Sequence, residues 1–110
     1  MTTTTDQRKY PRFELEAYVD YTGREFLLNH RIYDISMGGM RLKTGELEQV
    51  GVEVDLMISF PDMDAVIEVK GEVAWVKRVP EKEMGIKFKN LGIREHRLLQ
   101  EYLKKIEERN

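Results

Sequence analysis

The sequence predicts a mainly β domain: six short strands forming a small closed or nearly closed barrel, with one amphipathic helix at the C-terminus. Three observations carry that expectation. Apolar and polar residues alternate with a period of two along most of the chain. Turn-forming residues interrupt the alternation at regular intervals. Near the C-terminus the period changes to that of a helix.

The elements follow in order. Residues 1–6 are polar and Thr-rich, with nothing to bury, so they are expected to be a disordered tail ahead of a domain spanning 7–110. Phe13, Leu15, Ala17, Val19 and Tyr21 then alternate with Glu14, Glu16, Tyr18 and Asp20, the pattern of a strand with one buried face. Thr22-Gly23 ends it. A second strand is expected from Phe26 to Ile35 and a third from Met40 to Thr44, with Gly38-Gly39 supplying a bend or bulge. Gly45 to Gly51 breaks the pattern. Val52, Val54, Leu56, Ile58 and Phe60 mark a fourth strand, and Pro61-Asp62-Met63-Asp64 a turn. A fifth, long strand runs from Val66 to Val79, with Ile67, Val69, Val73 and Trp75 on one parity. After a turn at Pro80 to Glu83, Met84 to Lys89 makes the sixth. Leu99, Tyr102, Leu103 and Ile106 then form one stripe of a helix from Ile93 to Glu108, placed over an opening or flank of the barrel.

Composition narrows the function. The 110 residues suit one domain, large enough to bury roughly two-thirds of its unfolded surface without staples. The absence of Cys removes disulfides, Cys-ligated zinc, iron–sulfur clusters and thiol nucleophiles. His30 and His96 are not at metal-binding spacing, so no metal is expected. Eighteen basic against 20 acidic residues give a net charge of −2, which argues against non-specific binding to nucleic acid or anionic lipid. No apolar run approaches the ~18–20 residues of a membrane span. Met1 to Gln7 lacks the apolar segment of a secretion signal, which makes the cytoplasm the expected location.

An enzyme is not expected. Catalysis needs convergent polar groups. Ser36 and Ser59 are the only serines, and neither sits in a G-x-S-x-G elbow. The pairs Glu14/Glu16 and Asp62/Asp64 read as solvated faces, and no Gly-rich phosphate loop is present.

Two short patterns remain. Arg8 and Arg12 form an R-x-x-x-R leading into the first strand. Asp34, Ser36 and Gly39 form a D-x-S-x-x-G where the second strand ends. Each has a plain structural reading: a solvated basic patch for the first, a capped turn for the second. Together they are chemically complementary. Arginine forks onto phosphate or onto guanine O6 and N7, and stacks on purine faces. A carboxylate repels phosphate but suits the N1–H and exocyclic amine of guanine. Gly39 leaves room for a flat base near the backbone. The set reads as a guanine-and-phosphate site.

Arg8-x-x-x-Arg12, followed 22 residues later by Asp34-x-Ser36-x-x-Gly39, resembles the PilZ domain, the bacterial receptor module for cyclic di-GMP. The segments Tyr33 to Leu42, Gly71 to Val76 and Met84 to Phe88 are also similar to that family, so the resemblance runs from Gln7 to the helix. It implies a six-stranded antiparallel barrel with a C-terminal helix. It also implies that Arg8 and Arg12 hold phosphates and guanines, that Asp34 and Ser36 hydrogen-bond a guanine and a nearby phosphate, and that Gly39 presents backbone. Trp75 matches a position where some members place an aromatic beside the ligand; core or rim packing is its other reading. Lys77 shares its parity and reads as solvated. Met37 and Met40 line the pocket, a partner surface or the core.

The expectation is therefore a cyclic di-GMP receptor without cofactor or catalytic activity. Ligand would order the segment up to Arg12 and create a surface for a downstream protein. Its alternatives are a PilZ-like adaptor that binds no nucleotide and a β-barrel that binds single-stranded nucleic acid. The second needs basic residues interleaved with exposed aromatics, whereas Glu14, Glu16, Asp20, Glu53, Asp55, Glu68 and Glu72 occupy the polar faces here.

Overall fold

The computed structural model describes residues 17–45 and 48–109. Seven strands form one antiparallel sheet: β1 Tyr18–Thr22, β2 Phe26–Arg31, β3 Asp34–Ile35, β4 Gly39–Lys43, β5 Glu53–Phe60, β6 Ala65–Lys77 and β7 Glu83–Lys89. A 3₁₀ turn at Pro61–Met63 joins β5 to β6, and α1 spans Ile93–Arg109. The order across the sheet is β2-β1-β5-β6-β7-β4-β3. The expected tail, Arg8, Arg12 and the start of the first strand before Ala17 lie outside the described residues.

The run expected as one strand from Phe26 to Ile35 is two strands, which is why the count is seven rather than six. Its two parts bond to opposite ends of the sheet. Ile32 donates its N–H to the Ala17 carbonyl at 3.0 Å, beside β1, and Tyr33 donates to the Arg41 carbonyl at 3.0 Å, on β4. One extended run thus supplies both edges and closes the sheet on itself, the usual way a small β-fold removes free edges. Alternation fails at this junction: Ile32 is buried, and Tyr33 and Asp34 both face solvent.

The inward faces supply the core. Val19, Tyr21, Leu42, Ile58, Phe60, Ile67, Val73 and Met84 are fully buried. Helix α1 adds Leu99 and Tyr102, the latter with its ring centroid 4.4 Å from that of Phe60. Among the described residues no helix is long and apolar enough to cross a membrane.

Polar clamps fix two places where the alternation is interrupted. Asn29 adopts a left-handed φ of 50° at an irregularity in the β1–β2 pairing, and its N–H donates to Asp20 Oδ1 at 2.7 Å; Asn tolerates that region better than most residues. In the segment between β4 and β5, Glu48 points inward and is only 4% exposed. Its Oε1 accepts the Tyr21 hydroxyl at 2.9 Å and the Arg24 N–H at 2.8 Å, which ties this segment to the β1–β2 turn. Burial first, then the hydrogen bond to Glu48, push the Tyr21 hydroxyl far up, so it remains a donor.

Candidate functional site

Cross-strand register places two of the predicted residues, Asp34 and Trp75, in one row on the outer face of the barrel. Asp34 of β3 sits opposite Arg41 of β4, Arg41 opposite Gly85 of β7, and Gly85 opposite Trp75 of β6. Asp34 and Trp75 therefore end one row across four strands, three strand spacings or about 14 Å apart along the sheet.

Trp75 reaches this face through a bulge. The expected parity places Trp75 on the side of Val73, but the β6–β7 register shifts between those two residues. Two residues then advance against one, and everything beyond changes face. Val73 is fully buried, whereas Trp75 is 41% exposed. Its indole lies on Gly85: a Cβ built there would meet Trp75 Nε1 and Cε2 at 2.2 Å. Gly85 provides the bare surface on which the aromatic rests.

At the other end of the row, Ser36 and Gly39 flank a two-residue hairpin tip, Met37-Gly38. Ser36 donates its N–H to the Gly39 carbonyl at 2.8 Å. Its hydroxyl accepts the Gly38 N–H at 3.2 Å and donates to the Gly39 carbonyl at 3.4 Å. The capped-turn role is thus real, and the exposed hydroxyl fixes the loop beside Asp34. Gly39 has a packing reason of its own: a Cβ there would meet the Ile86 carbonyl oxygen at 2.2 Å, because β4 and β7 run close together. We expect Gly39→Ala to cost about 1–3 kcal/mol of stability, the usual penalty for overpacking against backbone. Urea unfolding measures it, and a loss below about 0.5 kcal/mol would show that the strands part easily. Of the two methionines, Met40 fills the core and Met37 packs partly against it, lining a groove with Arg97, Leu103 and Ile106 of α1.

Arg41 belongs to neither short sequence pattern, yet it is central. Its Nη2 donates to Asp34 Oδ2 at 2.6 Å, and its Nη1 lies 3.5 Å from Glu83 Oε1. The bond to Asp34 raises its pKa above the usual value. Its guanidinium lies over the Tyr33 ring, 4.5 Å from the centroid, and Lys43 Nζ approaches that ring at 3.9 Å. Glu83 also pairs with Lys77 Nζ at 3.5 Å, so Lys77 is not simply solvated. Lys43 Nζ also lies 3.3 Å from Glu81 Oε1, so the face combines two rings, three cations and three carboxylates.

Ion pairing continues elsewhere on the outside. Lys70 holds Asp55 at 2.6 Å, and Lys89 holds Glu53 at 2.7 Å and Glu72 at 3.8 Å. Such pairing does not make the continuous basic groove that single-stranded nucleic acid requires.

A small antiparallel barrel with an apolar helix stripe packed into its core, and with one outer face built from carboxylates, cations and rings, defines a mainly β domain. The PilZ domain model matches residues 6–105. The chain belongs to the PilZ domain family. Among solved structures, the Bacillus subtilis inhibitor of motility MotI/DgrA superposes with a TM-score of 0.67 at 21% identity, covering 91% of this chain and 51% of that one. This chain thus spans about half the length of that structural neighbour, and the likeness is one of fold. No curated protein matches the chain.

Proposed function

We propose that this protein is a cytoplasmic receptor for cyclic di-GMP, a binding module without catalytic activity, that signals by protein–protein contact. The observation that carries this reading is the outer row: the Asp34 carboxylate at one end, the Trp75 indole on Gly85 at the other, and Arg41 between them. Asp34 accepts the N1–H and amine of one guanine, Trp75 offers a stacking plane, and the Ser36–Gly39 turn holds Asp34 in place. Arg8 and Arg12 contribute forked donors for the phosphates. Chain length allows Arg12 to approach this row. Ala17 is joined to Ile32, two residues before Asp34, and the five-residue span from Arg12 to Ala17 extends at most about 17 Å. The bound dianion draws both arginines onto the barrel, and the surface so formed is what a partner reads.

Calorimetric titration tests the proposal. The protein is expected to bind cyclic di-GMP at least about fivefold more tightly than cyclic di-AMP. Adenine has no amine at C2 and an unprotonated N1, and the carboxylate left short of donors costs about 1–3 kcal/mol. Equal affinities would remove Asp34 from the recognition of the base.

A further inference from the structure

The carboxylate assigned to guanine already has an occupant. Arg41 Nη2 donates to Asp34 Oδ2 at 2.6 Å. The N1–C2–N2 edge of guanine is itself a guanidine unit, flat and carrying side-by-side N–H donors. The Arg41 guanidinium therefore offers Asp34 the chemistry that the base would offer. The two compete for the same oxygens. With side chains 36% and 53% exposed, the Arg41–Asp34 pair is of the weak, solvent-screened kind that a ligand can displace.

A displaced guanidinium needs a second acceptor, and one lies on its other side. Glu83 is 5% exposed, and its Oε1 is a buried oxygen with no hydrogen-bond partner among the described residues. That atom is 3.5 Å from Arg41 Nη1, close enough for an ion pair but without hydrogen-bond geometry. A buried acceptor left short of a donor is a costly arrangement. A small shift of Arg41 relieves it, and the Tyr33 ring beneath the guanidinium supports the group at 4.5 Å. Lys77 holds the other Glu83 oxygen from a distance of 3.5 Å, which keeps the carboxylate in place.

We propose that Arg41 is a two-position gate: it occupies Asp34 in the free protein and moves onto Glu83 when a guanine takes Asp34. Glu83 is then a positioning residue, governing affinity without touching ligand. The gate rests on the cyclic di-GMP reading and adds an internal competitor and a receiving site to it.

A four-member titration with cyclic di-GMP tests it, using wild type, Glu83→Gln, Arg41→Met and the double variant. Glu83→Gln is expected to weaken binding about three- to tenfold in the wild-type background, because Arg41 then stays on Asp34. In the Arg41→Met background the same substitution is expected to change affinity by less than about twofold, since nothing remains to be received. Equal penalties in both backgrounds overturn the gate and make Glu83 a structural residue. Absence of binding to the wild-type chain refutes the ligand reading, and the gate with it. A measurement on the wild-type chain covers the case in which Glu83→Gln does not fold. The carbon resonance of the Glu83 carboxyl is expected to shift on saturation with cyclic di-GMP as Arg41 arrives. A Glu83 signal that stays put while that of Asp34 moves overturns the proposal.

Discussion

Asp34→Ala is expected to lower affinity for cyclic di-GMP by about 100-fold. The carboxylate accepts two donors from the guanine edge, and each charge-assisted hydrogen bond contributes about 1.5–3 kcal/mol. Against that loss stands a gain. Ligand no longer has to displace Arg41, whose exposed pair with Asp34 is worth about 0–1 kcal/mol. The difference, about 3 kcal/mol, corresponds to roughly two decades of affinity. Stability should hardly change, because Asp34 is exposed and its only side-chain partner among the described residues is that weak pair. Asp34→Asn serves as control: it preserves shape but turns an amide N–H₂ toward the donors of guanine, so it should recover little. Calorimetry alongside thermal melts measures both quantities. Wild-type affinity in Asp34→Ala would mean that the ligand uses another part of the barrel.

Much of the fold was legible in the residues, because a half-buried strand writes its orientation into a period of two. Val54, Leu56, Ile58 and Phe60 are all buried, as their spacing predicts, and Leu99 and Tyr102 lie on the buried stripe of α1. The failures fall where the period is broken by something other than a turn. The run from Phe26 to Ile35 looks continuous, but it exchanges one neighbouring strand for another at Ile32 and Tyr33, and closure is a property of the whole sheet. Parity alone groups Trp75 with the inward Val73, because no local signal marks the bulge between them, and leaves its two readings undecided. A Trp two residues after a buried Val is ordinary core sequence.

The candidate site was legible in its short motif and hidden in its surroundings. Asp34, Ser36 and Gly39 occupy one hairpin, so local spacing was enough to find them. Arg41 could have been suspected, since it shares the parity of Gly39 on the same strand. Knowing that it faces Asp34 requires the register of that hairpin, and placing it beside Gly85 requires the pairing of β4 with β7. Glu83 falls in the predicted turn, yet it lies buried at the start of β7. Glu48 lies in the irregular stretch between strands, and nothing in the sequence marks it as the acceptor of Tyr21. Charged residues are exposed by default, so a buried one is visible only once its partners are placed. The arginines Arg8 and Arg12 lie outside the described residues, and their roles rest on the motif and on chain reach.

Tyr102→Ala is expected to cost about 3–5 kcal/mol of stability, the scale for removing a large aromatic side chain from a packed core. Tyr102 is 1% exposed, and its ring sits 4.4 Å from that of Phe60 at an interplanar angle of 36°. Leu99, one turn earlier, is fully buried beside the same core. Most of a helix's stability in a folded protein comes from packing of its amphipathic face, so packing by these residues is what holds α1. The loss compares with a total of only about 5–15 kcal/mol for a domain of this kind. The urea midpoint should therefore fall steeply, with the helix and sheet signals lost together. Ile93→Ala makes the comparison: Ile93 is 81% exposed on the first turn of the same helix and should change stability by no more than about 0.5 kcal/mol. Below the transition, the surviving folded fraction of Tyr102→Ala should bind ligand with wild-type affinity, since the row from Asp34 to Trp75 lies on the outer face of the barrel. A cost under about 1 kcal/mol would mean that the barrel is held by its strands alone and that α1 is an accessory to it.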